Sequence, residues 1–357
     1  MSEFAQRMSK QLSLSEAANE VPTAPRTILR GRVAMPPVFL APMSGITDLP
    51  FRRIAARFGC DVVVTEMVAS GELTTGGIDA TVRLAGEGLG LHVVQIAGRE
   101  AEATARAAAM AVDAGADVID LNMGCPSKRV CQGWSGSALM RDLDLAVSLV
   151  RAVRANVPDG VPVTLKMRLG WSRETMNAPE LARRAVAEGV ELVTVHGRTR
   201  DQFYEGVADW HAVRTVREAV DVPLVVNGDI DGAESARAAM AASGADAVMI
   251  GRAACGRPWL PGAVGRVLRG EAAIEAPNGS ALADLVIEHH EAMLLLHGRE
   301  IGLRAARKHL GWYLDAAAGE VSVADATRKA LLTSEDPRRV ADLIRDIFSG
   351  EPERRAA

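Results

Sequence analysis

The sequence predicts an α/β protein, a (β/α)8 TIM barrel followed by a C-terminal all-α helical bundle. Three observations carry that prediction. Short apolar, β-rich runs alternate eight times with Ala-, Leu-, Glu- and Arg-rich stretches between residues 38 and 250, the repeat of a closed barrel. The runs lack polar alternation, as strands covered on both faces do. After Trp259 the alternation stops and only helical periodicity remains.

Taken in order, residues 1–30 form a polar tail without the apolar stretch of a secretory signal. Strands are expected at 38–41, 61–65, 91–96, 118–121, 163–167, 192–195, 224–227 and 247–250. Helices are expected at 49–58, 100–114, 143–156, 179–188, 210–220 and 232–242. Gly115, Gly189 and Gly244 stand where helices end before the next strand, the usual place of a C-cap glycine. No GxGxxG opens a βαβ unit, which argues against a dinucleotide-binding open sheet. The barrel is thus assigned to 31–262, a Gly-, Ala- and Pro-rich linker to 263–279 and the helical bundle to 280–357.

Of the 357 residues 48% are apolar and 24% charged, enough for a packed core. No apolar run approaches the ~20 residues that cross a bilayer, so a cytoplasmic protein with no membrane partner is expected. Four cysteines, Cys60, Cys125, Cys131 and Cys255, include no CxxC pair, and no metal site is expected. A net charge of −4 leaves any grip on nucleic acid to local basic patches.

In this fold chemistry gathers at the C-terminal ends of the strands. Those ends carry Pro42-Met43-Ser44, Gln95, Asn122, Lys166, His196, Asn227-Gly228-Asp229 and Gly251-Arg252. Each alone could be a loop cap, but a ring of such residues around one mouth points to a ligand. The last two groups follow strands seven and eight, where barrels commonly hold phosphate on backbone N–H groups. Lys166 ends a buried strand, and a cation there needs something negative facing it. Cys125 lies between Gly124 and Pro126, so its thiol is presented rather than packed away. Mostly protonated at neutral pH, it suits a general acid. Cys60 and Cys255 read as inert buried residues, and Cys131 as a bystander.

The motifs APMSGITDLPFR, VQIAG, DLNMGCPSKRV, VTLKMRLGW, VHGRTR, NGDI and GADAVMIGRAACGRPW, in this order, resemble the tRNA-dihydrouridine synthase family, in its bacterial B-type (DusB-like) branch. The resemblance continues into ARKHLGWYL. It implies FMN on Pro42, Met43, Ser44, Gln95, Lys166, His196, Asn227, Gly228, Asp229, Gly251 and Arg252. It further implies NADPH as reductant, a tRNA D-loop uridine (position 17) as substrate and Cys125 as the acid at C5. Asn122 and Arg198 are the candidates for holding the base. Arg200, with Arg304, Arg307 and Lys308 on a C-terminal helix, is the candidate phosphate contact, and a monomer is expected. The competing enzyme reading is an FMN barrel acting on a free pyrimidine, for which the GRTR loop and basic helices would be useless.

Overall fold

The computed structural model describes residues 27–28, 33–319 and 321–350, so most of the expected tail lies outside the described residues. A parallel nine-stranded sheet forms the core. Its strands are β1 (Val38–Leu40), β2 (Val62–Val63), β3 (Val68–Ala69), β4 (Val93–Ala97), β5 (Val118–Met123), β6 (Val163–Arg168), β7 (Val190–His196), β8 (Leu224–Asn227) and β9 (Ala247–Ile250). Their order is β2-β1-β9-β8-β7-β6-β5-β4-β3.

The two edges belong to one stretch of chain. Val64, just past β2, bridges Val93 of β4, and its N–H points to the Leu40 carbonyl. The ring therefore closes with eight strand positions, the second of them interrupted. The sequence places an unbroken strand at 61–65, whereas the ladder breaks at Thr65 to Met67. There the Thr65 hydroxyl accepts the Gln95 N–H and Glu66 turns aside to accept the Gly45 N–H.

Alternation along the strands sorts the residues into two cores. Outward-facing Val94, Ile96, Ile119, Leu121, Leu165, Met167, Val193 and Val195 pack in one cluster with the surrounding helices. Inward-facing Phe39, Val62, Val64, Val93, Val118, Leu192, Val225 and Met249 fill the lower half of the cylinder. Two to four residues further along the same strands the inward positions become polar, with Gln95, Asp120, Asn122, Thr164, Lys166, His196 and Asn227.

The six expected helices all form, at Leu49–Arg57, Ala101–Asp113, Leu143–Asn156, Ala178–Ala187, Trp210–Arg217 and Ala233–Ser243. Asp48, Asp142 and Asp209 cap three of them by accepting the N–H three residues on, worth ~1 kcal/mol each. A further helix, Leu260–Leu268, runs into the stretch read as linker, so only 269–278 carry no regular structure. Its apolar residues Val264 and Leu268 pack on the barrel cluster, a use that Gly and Ala content alone conceals.

Four helices follow, Gly279–His297, Arg299–Ala316, Asp325–Thr333 and Pro337–Ser349, around a core of their own. As the helical spacing predicts, Leu303, Ala306, Leu310, Tyr313 and Leu314 are buried. The bundle docks on helix Leu49–Arg57: Arg57 pairs with Glu288 at 2.7 Å, Asp48 meets His297 at 3.1 Å, and Phe51 lies edge-on to His289. Among the described residues no helix is long and apolar enough to cross a membrane.

Candidate active site

The polar half of the cylinder opens into a cavity of about 740 Å3 at the C-terminal ends of the strands. Every expected cofactor residue lines it: Pro42, Met43, Ser44, Gln95, Lys166, His196, Asn227, Gly228, Asp229, Gly251 and Arg252. Cys125 and Asn122 line it too.

A hydrogen-bonded chain organises the floor. Thr164 donates to one oxygen of the buried Asp120 and Gln95 Nε2 to the other, both at 2.6 Å. The Gln95 carbonyl accepts from Asn122 Nδ2 at 2.7 Å. Gln95 thus keeps one N–H and one lone pair, a donor and acceptor pair side by side. Burial pushes the Asp120 carboxyl up, with the Thr164 and Gln95 hydrogen bonds working against it.

Asn122 sets the loop that carries Cys125. Its Oδ1 accepts the N–H groups of Gly124 at 3.1 Å and Cys125 at 3.0 Å, so the chain turns sharply after β5. Ser137 closes the far side by donating its hydroxyl to the Cys125 carbonyl at 2.9 Å. Cys131, read as a bystander, touches that same carbonyl at 3.5 Å and helps hold the turn. The Cys125 thiol is part-buried, and burial pushes it up from its ordinary value, so it carries its proton at neutral pH. Arg168 and Lys166 pull the other way and favour the thiolate once the proton leaves. Cys60 is buried, its thiol pushed up to about 12, and Cys255 is part-buried and pushed up to about 11.

Lys166 donates to Asn227 Oδ1 at 3.1 Å, and Asn227 Nδ2 is anchored on the Met249 carbonyl at 2.8 Å. Burial, then repulsion from Arg168, holds the ammonium down at about 8. A desolvated cation resting on a neutral amide is a seat for a negative group. His196 beside it is held well below its ordinary value by burial and by the cations Arg168 and Lys166, so it is neutral. Gly228 has φ +115°, and a Cβ there would press on Ala208 and the His196 ring. Only glycine fits this close approach.

Several other residues complete the wall. Arg168 is buried and donates to the carbonyls of Gly124, Thr199 and Phe203, tying the loops after β5 and β7 together. Arg252 lies over the Tyr204 ring at 4.6 Å. Phe203, Tyr204 and Met67 line the opening, and the sequence signal for them is weak, an aromatic pair in a polar loop.

The expected substrate residues divide. Asn122 reaches the cavity, but Arg198 does not. It is buried, donating to the Glu205 and Gly206 carbonyls and pairing with Asp229 at 2.7 Å. A tight turn after β7, in which Arg198 N–H bonds the His196 carbonyl, carries it away from the mouth. Asp229 in turn holds the Ala208 N–H, so Arg198 secures the loop rather than a base. Arg200 lies over Trp171 at 4.7 Å, outside the cavity. Arg304 is exposed and 3.6 Å from Glu300, and Arg307 is half-buried. Lys308 reaches Gly45 and lines a separate cavity of about 300 Å3 between the barrel loops and the bundle, with Glu66, Asp48 and His297.

The dihydrouridine synthase (Dus) family profile matches residues 39–348. The chain belongs to that family. A probable tRNA-dihydrouridine synthase of Rhizobium leguminosarum bv. phaseoli is 53% identical over 85% of this chain and 92% of its own length. One of Rhodobacter capsulatus is 52% identical over 90% of this chain and 97% of its own. A tRNA-dihydrouridine synthase B of Xanthomonas campestris pv. campestris is 44% identical over 88% and 93%.

Solved structures share the fold at low identity. Histamine dehydrogenase from Rhizobium sp. 4-9 superposes with TM-score 0.52 at 14% identity, over 77% of this chain and 51% of that one. A 2-naphthoyl-CoA reductase superposes with TM-score 0.53 at 14%, over 76% and 56%. This Dus-family chain spans about half the length of each. Among the described residues no cluster of His, Cys, Asp or Glu is suited to a metal.

Proposed function

We propose that this chain reduces a uridine of tRNA to dihydrouridine with FMN as cofactor and NADPH as reductant. The observation that carries the reading is Cys125, a protonated thiol facing the same cavity as Lys166, Gln95 and Asn227 in a chain of the Dus family.

The residues present fit a flavin. Lys166, whose hydrogen-bond partner Asn227 carries no charge, would face the negative N1–C2=O edge of a reduced isoalloxazine. The free donor and acceptor of Gln95 match the N3–H and C4=O edge. Backbone N–H groups around Gly228 and Gly251, with Arg252, would take the phosphate. These residues would hold FMN, which when bound and reduced by NADPH would supply the hydride for C6 of the uracil.

Hydride at C6 sends charge to C5 and O4, so a proton is needed at C5. Cys125 donates it, and Arg168 and Lys166 stabilise the thiolate left behind. Asn122, with its carbonyl spent on the Gly124 and Cys125 N–H groups, serves as a positioning residue for that thiol. Neutral His196 remains a hydrogen-bonder toward the flavin or the base.

The uridine must leave its stack to enter the cavity. Arg304, Arg307 and Lys308 contact the tRNA backbone from the bundle, with Lys308 nearest the mouth. The D-loop uridine at position 17 is the proposed target. We propose that the enzyme acts as a monomer in the cytoplasm. The purified protein with FMN, NADPH and tRNA from a strain lacking it should restore dihydrouridine at one position, mapped by nucleoside mass spectrometry. Absence of dihydrouridine with flavin bound and reduced would refute the activity.

A further inference from the structure

Beyond the cavity, the outer edge of the barrel mouth carries an alternating stack of rings and guanidiniums. Arg141 lies over Trp134 at 5.1 Å and over Trp171 at 4.9 Å, and Arg200 lies over Trp171 at 4.7 Å. The order is Trp134, Arg141, Trp171, Arg200. Three consecutive connections supply it: Trp134 and Arg141 follow β5, Trp171 follows β6 and Arg200 follows β7.

The stack is fixed to the catalytic loops. Trp134 sits in the connection that carries Cys125, its N–H bonded to the Cys131 carbonyl. Arg200 N–H and Asp201 N–H bond the carbonyls of Gly170 and Trp171, stitching the second loop to the third. These loops also bear the cavity-lining Ser127, Phe203 and Tyr204. The helical bundle meets the barrel loops on the β1 and β2 side, where Lys308 approaches Gly45. The stack stands beyond β5, β6 and β7, on the other flank.

Two properties fit an RNA strand. Trp134 remains 50% exposed although Arg141 covers one face, and it holds φ +54°, a conformation a bulky side chain adopts at a cost. The neighbouring carboxylates are engaged elsewhere: Asp142 caps helix Leu143–Asn156, Asp144 pairs with Arg184 at 2.6 Å, and Asp201 accepts from Thr199 and the Gln202 N–H. Among the described residues neither Arg141 nor Arg200 forms an ion pair with a carboxylate, so both can meet phosphate, while an indole face suits an unpaired base irrespective of its identity.

We infer that the Trp134–Arg141–Trp171–Arg200 stack is a second RNA-binding wall, on which a nucleotide flanking the extruded uridine stacks against Trp134. The inference deepens the tRNA reading and depends on it. The wall holds the strand on the side opposite the bundle, so that the target base enters between two fixed points.

The test is tRNA affinity of the full-length, flavin-loaded protein, measured by filter binding with unmodified tRNA for wild type, Trp134→Ala and Trp134→Phe. Trp134→Ala should weaken binding by about tenfold, the scale of one lost base stack. Trp134→Phe, which keeps a ring, should stay within about threefold. Should Trp134→Ala fail to fold, iodide quenching serves instead: bound tRNA should shield a larger part of the fluorescence in wild type than in Trp134→Phe. Equal affinity for all three proteins, or equal shielding, overturns the wall while leaving the proposed reaction standing. A wild-type protein that neither binds tRNA nor forms dihydrouridine overturns both.

Discussion

The two halves of the barrel interior are built by the same strands and obey opposite rules. In the lower half Phe39, Val62, Val93, Val118, Leu192 and Met249 interdigitate as any dry core does. In the upper half the inward positions are Gln95, Asn122, Lys166, His196 and Asn227, and their mutual bonds leave capacity unused. The lower half explains why the cylinder stands. The upper half is costly on its own and makes sense only with a polar, anionic occupant.

Two cations near the mouth sharpen this contrast and give the largest expected effects. Arg198 is paired with Asp229 and two carbonyls, whereas Lys166 hydrogen-bonds the neutral amide of Asn227, and burial holds its pKa down despite the pull of Asp120. Arg198→Ala should destabilise the protein by about 3 kcal/mol, because Asp229 loses its partner. Lys166→Met should leave the flavin-free protein as stable or stabilise it by up to about 3 kcal/mol near pH 7, while weakening flavin binding at least about tenfold. Denaturant melts and flavin titrations decide. If both variants lose stability alike, the distinction between a structural and a ligand-facing cation fails.

The same lysine predicts a pH dependence. Its folded value is lowered from 10.5 to about 8, so below pH 8 the buried charge imposes its full cost. As pH rises from 8 to 10.5 the unfolded chain still holds a proton that the folded chain has released, so that cost is relieved. An anionic ligand prefers the protonated form. Affinity for reduced flavin should be flat below about pH 8 and fall above it, by up to about tenfold per pH unit, and Lys166→Met should abolish this fall. A flat titration in the wild type would mean that Lys166 does not face the negative edge.

The smallest effect belongs to the bundle. Replacing Arg304 and Lys308 by Glu should weaken tRNA binding several-fold at low salt, with the difference shrinking as salt is raised. No change at any salt would leave the bundle without a part in holding RNA.

Much of this was legible in the sequence. The eight strand positions follow from apolar runs, and the cavity-lining residues follow from strand ends, because a residue on a strand has only two directions to face. That logic ends where the strand does. Arg198 lies two residues past His196, and alternation would aim it inward, but the turn after β7 sends it into the loop instead. Asp120 was hidden for another reason, as a lone acid within an apolar run whose partners Gln95 and Thr164 come from other strands. Phe203, Tyr204 and the Trp134 stack depend on loop conformations that no short-range pattern specifies.

In the proposed reaction Cys125 gives the proton that completes reduction of the base. A single turnover decides whether it does: anaerobic, prereduced protein is mixed with tRNA lacking dihydrouridine and followed by flavin absorbance and product analysis. Wild type should reoxidise and yield dihydrouridine. Cys125→Ala should bind flavin and tRNA normally yet turn over at least about a hundredfold more slowly, the usual scale of a missing general acid. Turnover at the wild-type rate would contradict the account.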